Sequence, residues 1–266
     1  MNAALRALLT LRTYAVLFYG FGLLGLGGLV WSLLAAPLRL VLPAEPGRAI
    51  GRRLISGGFR CYLGALELSG GFRFDLQALS GLRDAGPMIL APNHPSLLDA
   101  VMLLSRAPRA ACILKAPLLN SVFFGAGARL ADYIANDAPL DMVRRAVAEL
   151  RRGGQLLMFP EGTRTTRAPL NPFRGALALI ARQAGVPVQT VFIEANSDFL
   201  CKGWSLARPP ALPVRYRVRL GRRFDPPQDL QDFMRELEQY FARELQAQQP
   251  AAPPPPLAAG VESRPA

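Results

Sequence analysis

The sequence predicts an α/β fold, a sheet with flanking helices, preceded by an N-terminal helical segment that anchors in a membrane. Three observations predict it. After Pro87, short apolar runs alternate with stretches of helical periodicity. No charged residue occurs between Arg12 and Arg39. Of the 266 residues 51% are apolar and 19% charged, a balance that can bury a sizeable core and excludes disorder throughout.

Taken from the N-terminus, the uncharged run reads YAVLFYGFGLLGLGGLVWSLLAAP, from Tyr14 to Pro37. About 20 apolar residues cross a bilayer. Tyr14, Tyr19 and Trp31 are types that favour the headgroup level. A cleaved signal peptide has a shorter apolar core and a small-residue cleavage site, which Ala35-Ala36-Pro37 matches poorly. Gly20, Gly22, Gly25, Gly27 and Gly28 permit a bent course, so a span and a re-entrant hairpin both stay open. Residues 1–45 are expected to be this anchor. Arg39, Arg48, Arg52, Arg53 and Arg60 follow the run, whereas only Arg6, Arg12 and the amino terminus precede it. The positive-inside rule then places the body of the chain in the cytoplasm.

Residues 46–87 read as a basic connector on the membrane surface, with Arg52, Arg53 and Arg60 interleaved among Leu54, Ile55, Phe59 and Leu63. Residues 88–248 form the α/β domain. Its expected strands are Met88–Ala91, Ala111–Leu114, Asp132–Ala135, Gln155–Phe159, Val188–Glu194 and Val214–Leu220. Its expected helices are Leu97–Ser105, Leu118–Gly125, Leu140–Arg152, Gly175–Ala184 and the amphipathic Gln228–Gln246. Residues 249–266 are a Pro/Ala-rich tail, read as disordered or polyproline.

Lys+Arg exceeds Asp+Glu by 31 to 19, a net charge of +12. That suits anionic lipid headgroups or phosphate-bearing substrates, or simply a solvated arginine surface. Nucleic acid is not expected as a partner, because no aromatic-rich recognition motif accompanies the arginines and the apolar anchor speaks against it. Three cysteines with no close pair argue against a disulfide framework or a cysteine zinc site. With His94 as the sole histidine, no metal is expected.

Two clusters carry the chemistry. The first is Asn93-His94-Pro95-Ser96-Leu97-Leu98-Asp99, which leaves the strand Met88–Ala91. Pro95 and Ser96 favour a turn into the next helix, with Ser96 as a cap. On one continuous helix a five-residue spacing separates side chains by roughly 140°. With His94 in the preceding turn, Asp99 can fold beneath the ring, accept from one nitrogen and leave the other as a proton acceptor. The plainer reading is a surface histidine with an incidental aspartate. The second cluster, Phe159-Pro160-Glu161-Gly162-Thr163-Arg164, follows another apolar strand. There Gly162 permits close backbone approach, Arg164 offers a planar fork to phosphate oxygens, and Glu161 can accept from hydroxyls. A charged turn with a local Glu–Arg pair is the alternative.

The ordered pair Asn93-His94-x4-Asp99 and Phe159-Pro160-Glu161-Gly162-Thr163-Arg164 resembles the lysophospholipid (glycerolipid) acyltransferase family. The likeness covers about residues 88–196 and takes in Val186-Pro187-Val188 as its fourth block. It implies a glycerolipid-acyltransferase-like sheet. It also implies acyl transfer to a lipid hydroxyl from acyl-CoA or acyl-carrier protein, the acceptor being a lysophospholipid such as 1-acyl-glycerol-3-phosphate. His94 would be the general base and Asp99 its orienting partner. Ser96, Lys115, Glu161, Gly162, Thr163 and Arg164 would bind substrate, Arg164 on a phosphate. No cofactor is implied beyond the thioester, and membrane lipids are the partners. No acyl-enzyme is expected, and no Gly-x-Ser-x-Gly elbow occurs.

The chain departs from the family twice. Lys115-Ala116-Pro117-Leu118 lacks the glutamate of the second block. Asn136 stands where many members carry an arginine, with Arg129 or Lys115 as other sources of charge. Together with Leu200-Cys201-Lys202-Gly203-Trp204, this looks like a branch found beside bacterial pathways for ornithine lipids or aryl-polyene-type lipids. A catalytically inactive lipid-binding membrane protein and a thioester hydrolase remain as alternatives.

Overall fold

The apolar runs become the centre of a seven-stranded sheet in the computed structural model, which describes residues 3–247. The Pro/Ala-rich stretch 249–266 lies outside the described residues. The strands are β1 (Phe72–Asp75), β2 (Met88–Pro92), β3 (Ala110–Leu114), β4 (Ile134–Ala135), β5 (Gln155–Leu157), β6 (Val188–Ala195) and β7 (Val214–Phe224), in the order β1-β7-β6-β2-β5-β3-β4. β6, β2, β5, β3 and β4 run parallel, β7 is antiparallel to β6, and β1 is parallel to β7. Parallel strands are covered on both faces and so read as continuous apolar runs. On β2, Met88 and Leu90 face one core while Ile89 and Ala91 face the other.

The first core lies beneath α1 (Ala3–Val41), α2 (Ala44–Leu68), α3 (Asp99–Arg106) and a 3-10 turn over Gln77–Leu82. The second lies beneath α6 (Pro139–Arg151), α7 (Ala176–Ala184) and α8 (Leu230–Gln246). Local signals set the helix ends. Pro139 opens α6, the Asp229 carboxylate accepts from the N–H groups of Gln231 and Asp232 at the start of α8, and Gly185 ends α7 at φ +66.

The expected α/β sheet is present, with differences that follow from packing. Residues 46–87, expected as a surface connector, supply α2 and the edge strand β1, so the sheet begins before residue 88. Arg52 on α2 is buried. It donates to Glu149 at 2.5 Å and to the Ala131 carbonyl at 2.8 Å. The helix expected over Leu118–Gly125 is divided into α4 (Ala116–Leu119) and α5 (Gly125–Leu130). The chain doubles back between them so closely that a Cβ on Gly125 would lie 2.3 Å from the Leu119 carbonyl oxygen.

The anchor segment is one continuous helix through all five glycines, so the hairpin course does not form. Nor does α1 stand apart from the body. Val16 packs on Gly71, just before β1, while Gly28 packs on Phe124 and Trp31 on Gly127, beyond β3. Since β1 runs opposite to β3, the Gly71 and Phe124 contacts lie at the same end of the sheet, and the Trp31 contact follows on α5 as it returns towards the start of β4. α1 therefore crosses the edge at which β2, β5, β3 and β4 end. Its other stripe, which includes Phe18, Leu26, Val30 and Leu33, is exposed.

Candidate active site

Both sequence clusters leave that same edge. β2 runs into Asn93-His94 and β5 into Phe159–Arg164, and the two strands are neighbours. Asn93 extends the ladder with its side chain. Its Oδ1 accepts from the Ile193 N–H at 2.7 Å and its Nδ2 donates to the Ile193 carbonyl at 3.0 Å. The next residue is thereby held at a fixed place.

Asp99 is the first residue of α3, with a fully buried side chain, and folds back beneath His94. Its Oδ2 lies 2.8 Å from His94 Nδ1 and accepts from the Ser96 N–H at 2.8 Å. Its Oδ1 has no partner among the described residues. Burial raises the Asp99 carboxyl above the usual carboxylate range. The His94 ring and the Ser96 N–H act in the opposite direction, and Glu161 adds to the rise. A carboxylate in that place needs donors. With Nδ1–H as one of them, Nε2 keeps its lone pair. The imidazole is 16% exposed and stacks on Phe159, with centroids 3.8 Å apart.

The second cluster grips the first through the backbone. Glu161 is buried, and its Oε1 accepts from the His94 N–H at 3.1 Å and from the Thr165 hydroxyl at 2.7 Å. Its Oε2 accepts from the Asn171 N–H at 2.8 Å, and the Thr165 N–H donates to the His94 carbonyl at 2.8 Å. Gly162 has φ +68, a left-handed backbone that requires glycine, and the exposed Arg174 side chain lies against it. Arg164 Nη1 donates to the carbonyls of Leu200 and Cys201 at 2.7 and 2.9 Å. Thr163 is half-buried on the same loop.

Each expected site residue thus has a definite place. His94 and Asp99 meet. Ser96 is buried, and its hydroxyl bonds the Phe199 carbonyl at 3.1 Å and the Tyr216 hydroxyl at 3.0 Å, a supporting position rather than a substrate-facing one. Glu161 likewise faces protein. Lys115 lies apart from the pair but on the same edge. It is exposed, without a carboxylate partner among the described residues, two strands from His94, about 10 Å at ordinary strand spacing. It follows the Leu114↔Ala135 register pair and therefore sits beside Asn136. Arg129 instead bonds the Leu119 carbonyl.

Sequence reasoning missed Phe159 as the stacking partner of His94, although its place at the end of a strand beside the motif was a usable signal. It also missed Tyr216 and Phe199, and read Leu200–Trp204 as a branch signature without seeing that Leu200 reaches the motif loops. Leu200 accepts from both the Leu97 N–H and Arg164, which ties the two motif loops together. Nothing local to those residues indicates that contact. Beside Pro95 and Thr165 lies an open groove of about 1030 Å³, also lined by Arg73, Asn196 and Arg215.

Comparison with known proteins places this geometry in context. A family model described as Acyltransferase matches residues 73–194. The lyso-ornithine lipid O-acyltransferase of Pseudomonas aeruginosa is 32% identical over 197 residues, 73% of this chain and 71% of that protein. The 1-acyl-sn-glycerol-3-phosphate acyltransferase of the same organism is 28% identical over 197 residues, 71% of this chain and 74% of that protein. The crystal structure of the 1-acyl-sn-glycerophosphate (LPA) acyltransferase PlsC of Thermotoga maritima superposes with a TM-score of 0.59 at 20% identity. It covers 94% of this chain and 99% of that one, a likeness of fold.

Proposed function

The chain belongs to the acyltransferase family, and we propose that it moves a fatty acyl group from a thioester donor to a hydroxyl of a lysolipid. The observation that carries this is the His94 Nδ1–Asp99 Oδ2 contact at 2.8 Å, beside a ring nitrogen free to act as base. His94 Nε2 takes the proton of the acceptor hydroxyl as its oxygen attacks the thioester carbonyl. The ester C–O bond forms, the C–S bond breaks, and the imidazolium returns the proton to the departing thiolate. Asp99 keeps the ring oriented and offsets its transient charge. A positioned base contributes about 10²–10⁴ in rate. Holding the two substrates in line supplies much of the rest.

The donor is acyl-CoA or acyl-carrier protein, and the acceptor a lysophospholipid of the 1-acyl-glycerol-3-phosphate type. Lys115 beside Asn136 supports this reading, because it brings a cation to the edge where Asn136 itself has none. The uncharged Asn136 favours a second reading, an acceptor without a phosphate monoester, such as a lyso-ornithine lipid.

Membrane attachment accords with both. α1 crosses the catalytic edge with one stripe on the body and the other exposed, so it lies along one leaflet and brings the site to lipid. The body then sits on the cytoplasmic side of the inner membrane. The test is initial rate with purified full-length protein and both donor classes against a panel of lysophosphatidic acid, lyso-ornithine lipid and other lysophospholipids. Acceptor-dependent thiol release with the matching acylated lipid is expected. Thiol release that ignores every acceptor would mean a thioester hydrolase.

A further inference from the structure

The turn between α4 and α5 presents apolar side chains to solvent at the catalytic edge. Val122 is 72% exposed and Phe123 47%, with Leu118 beside them. The tip is fastened to the apolar helix. The Ser32 hydroxyl donates to the Phe123 carbonyl at 2.9 Å, and a Cβ on Gly28 would lie 2.6 Å from the Phe124 ring. Leu26, Val30 and Leu33 on the outer stripe of α1 are exposed along the same stretch of helix, so the two apolar surfaces adjoin. Exposed Lys115 and Arg129 flank the tip, neither with a carboxylate partner among the described residues.

Resting on the acyl-transfer reading above, we propose that Leu118–Phe123 is a second membrane-inserting element, seated in the bilayer beside α1 at the mouth of the site. An apolar tip with a basic collar suits the acyl–headgroup boundary of an anionic membrane. Continuity with α1 argues for lipid over a protein partner, because the apolar helix needs lipid along that same stretch. Chain order places the tip directly after Lys115, so a lysolipid leaving the bilayer there meets the catalytic edge without crossing water. The tip thus fixes the angle at which the site faces the membrane, which a single helix free to roll about its axis cannot do.

The test uses full-length protein carrying Val122→Glu with Phe123→Glu. Both side chains are exposed, and the Ser32 contact goes to the backbone, so the fold is retained. Acyl transfer to a lysolipid embedded in phosphatidylcholine/phosphatidylglycerol vesicles should fall about tenfold or more, while transfer to the same lysolipid in detergent micelles stays within about twofold. An equal loss in micelles would make the tip a structural part of the site, and no loss in vesicles would leave it in water; either overturns the proposal. A second measurement does not depend on activity. Val122→Trp should show quenching by brominated lipid beyond that of the wild type with its own Trp31 and Trp204, and no added quenching would also overturn it. If the wild type acylates no lysolipid in any medium, the enzymatic reading fails, and quenching still decides whether the tip inserts.

Discussion

The Glu161 carboxylate holds the backbone of His94: Oε1 accepts the His94 N–H at 3.1 Å while Oε2 accepts that of Asn171. Glu161 therefore acts on the base through the loop that carries it. In Glu161→Gln the amide oxygen can still accept at one end, but the NH2 at the other faces a donor it cannot accept, and an unmatched buried N–H costs about 1–3 kcal/mol. We expect kcat to fall about tenfold or more with the acceptor KM within about twofold. The check is the kcat against KM split in steady-state assays. A raised KM at unchanged kcat would place Glu161 on the acceptor instead.

Lys115 sits beside Asn136 at the sheet edge. A charge-assisted contact to phosphate contributes about 1.5–3 kcal/mol. Lys115→Ala should therefore raise KM for lysophosphatidic acid roughly ten- to more than a hundredfold and leave an acceptor without a phosphate monoester little changed. Asn136→Arg should improve use of lysophosphatidic acid. Initial rates across both acceptors read the difference.

The buried pair Arg52–Glu149 joins α2 to α6. Burial by itself would raise the Glu149 carboxyl, but Arg52, with Arg152 and Arg48, holds it below the usual carboxylate range. A carboxylate with a depressed folded pKa stabilises fully above its unfolded value and loses that stabilisation as pH falls through the folded one. Thermal stability should thus drop on acidification below the unperturbed value of 4.5. Glu149→Gln should cost about 3–5 kcal/mol at neutral pH and flatten the acid limb. Melting curves from neutral to acid pH test this.

β2 was legible because both its faces are buried and its sequence is apolar throughout, and β5 and β6 because apolar residues dominate their buried stretches. β1 was not. Phe72-Arg73-Phe74-Asp75 is four residues long, charged on alternate positions, and follows an arginine-rich helix, so nothing marked it as sheet. The His94–Asp99 contact was legible because a turn brings together residues close in sequence. The inward aim of Glu161 was not, since its partners His94 and Asn171 reach it only through strand pairing and a loop. The course of α1 was hidden for a related reason. Its composition declares an apolar helix, but long-range contacts such as Gly28 against Phe124 and Val16 against Gly71 are what lay it across the body.

Apolar burial resists salt, which at 1 M shortens the Debye length to about 3 Å. Membranes containing the protein should keep it through a 1 M salt wash and release it to detergent. Fractionation and blotting read the outcome, and release by salt alone would make the attachment electrostatic.

The base is the centre of the account, and the most direct test is acceptor-dependent acyl transfer by purified His94→Ala, with folding and membrane attachment checked in parallel. Turnover should fall about 10²–10⁴-fold, with Asp99→Asn impaired as well. A folded, membrane-bound His94→Ala protein that kept more than about a tenth of wild-type turnover, less than the smallest loss a base implies, would contradict it.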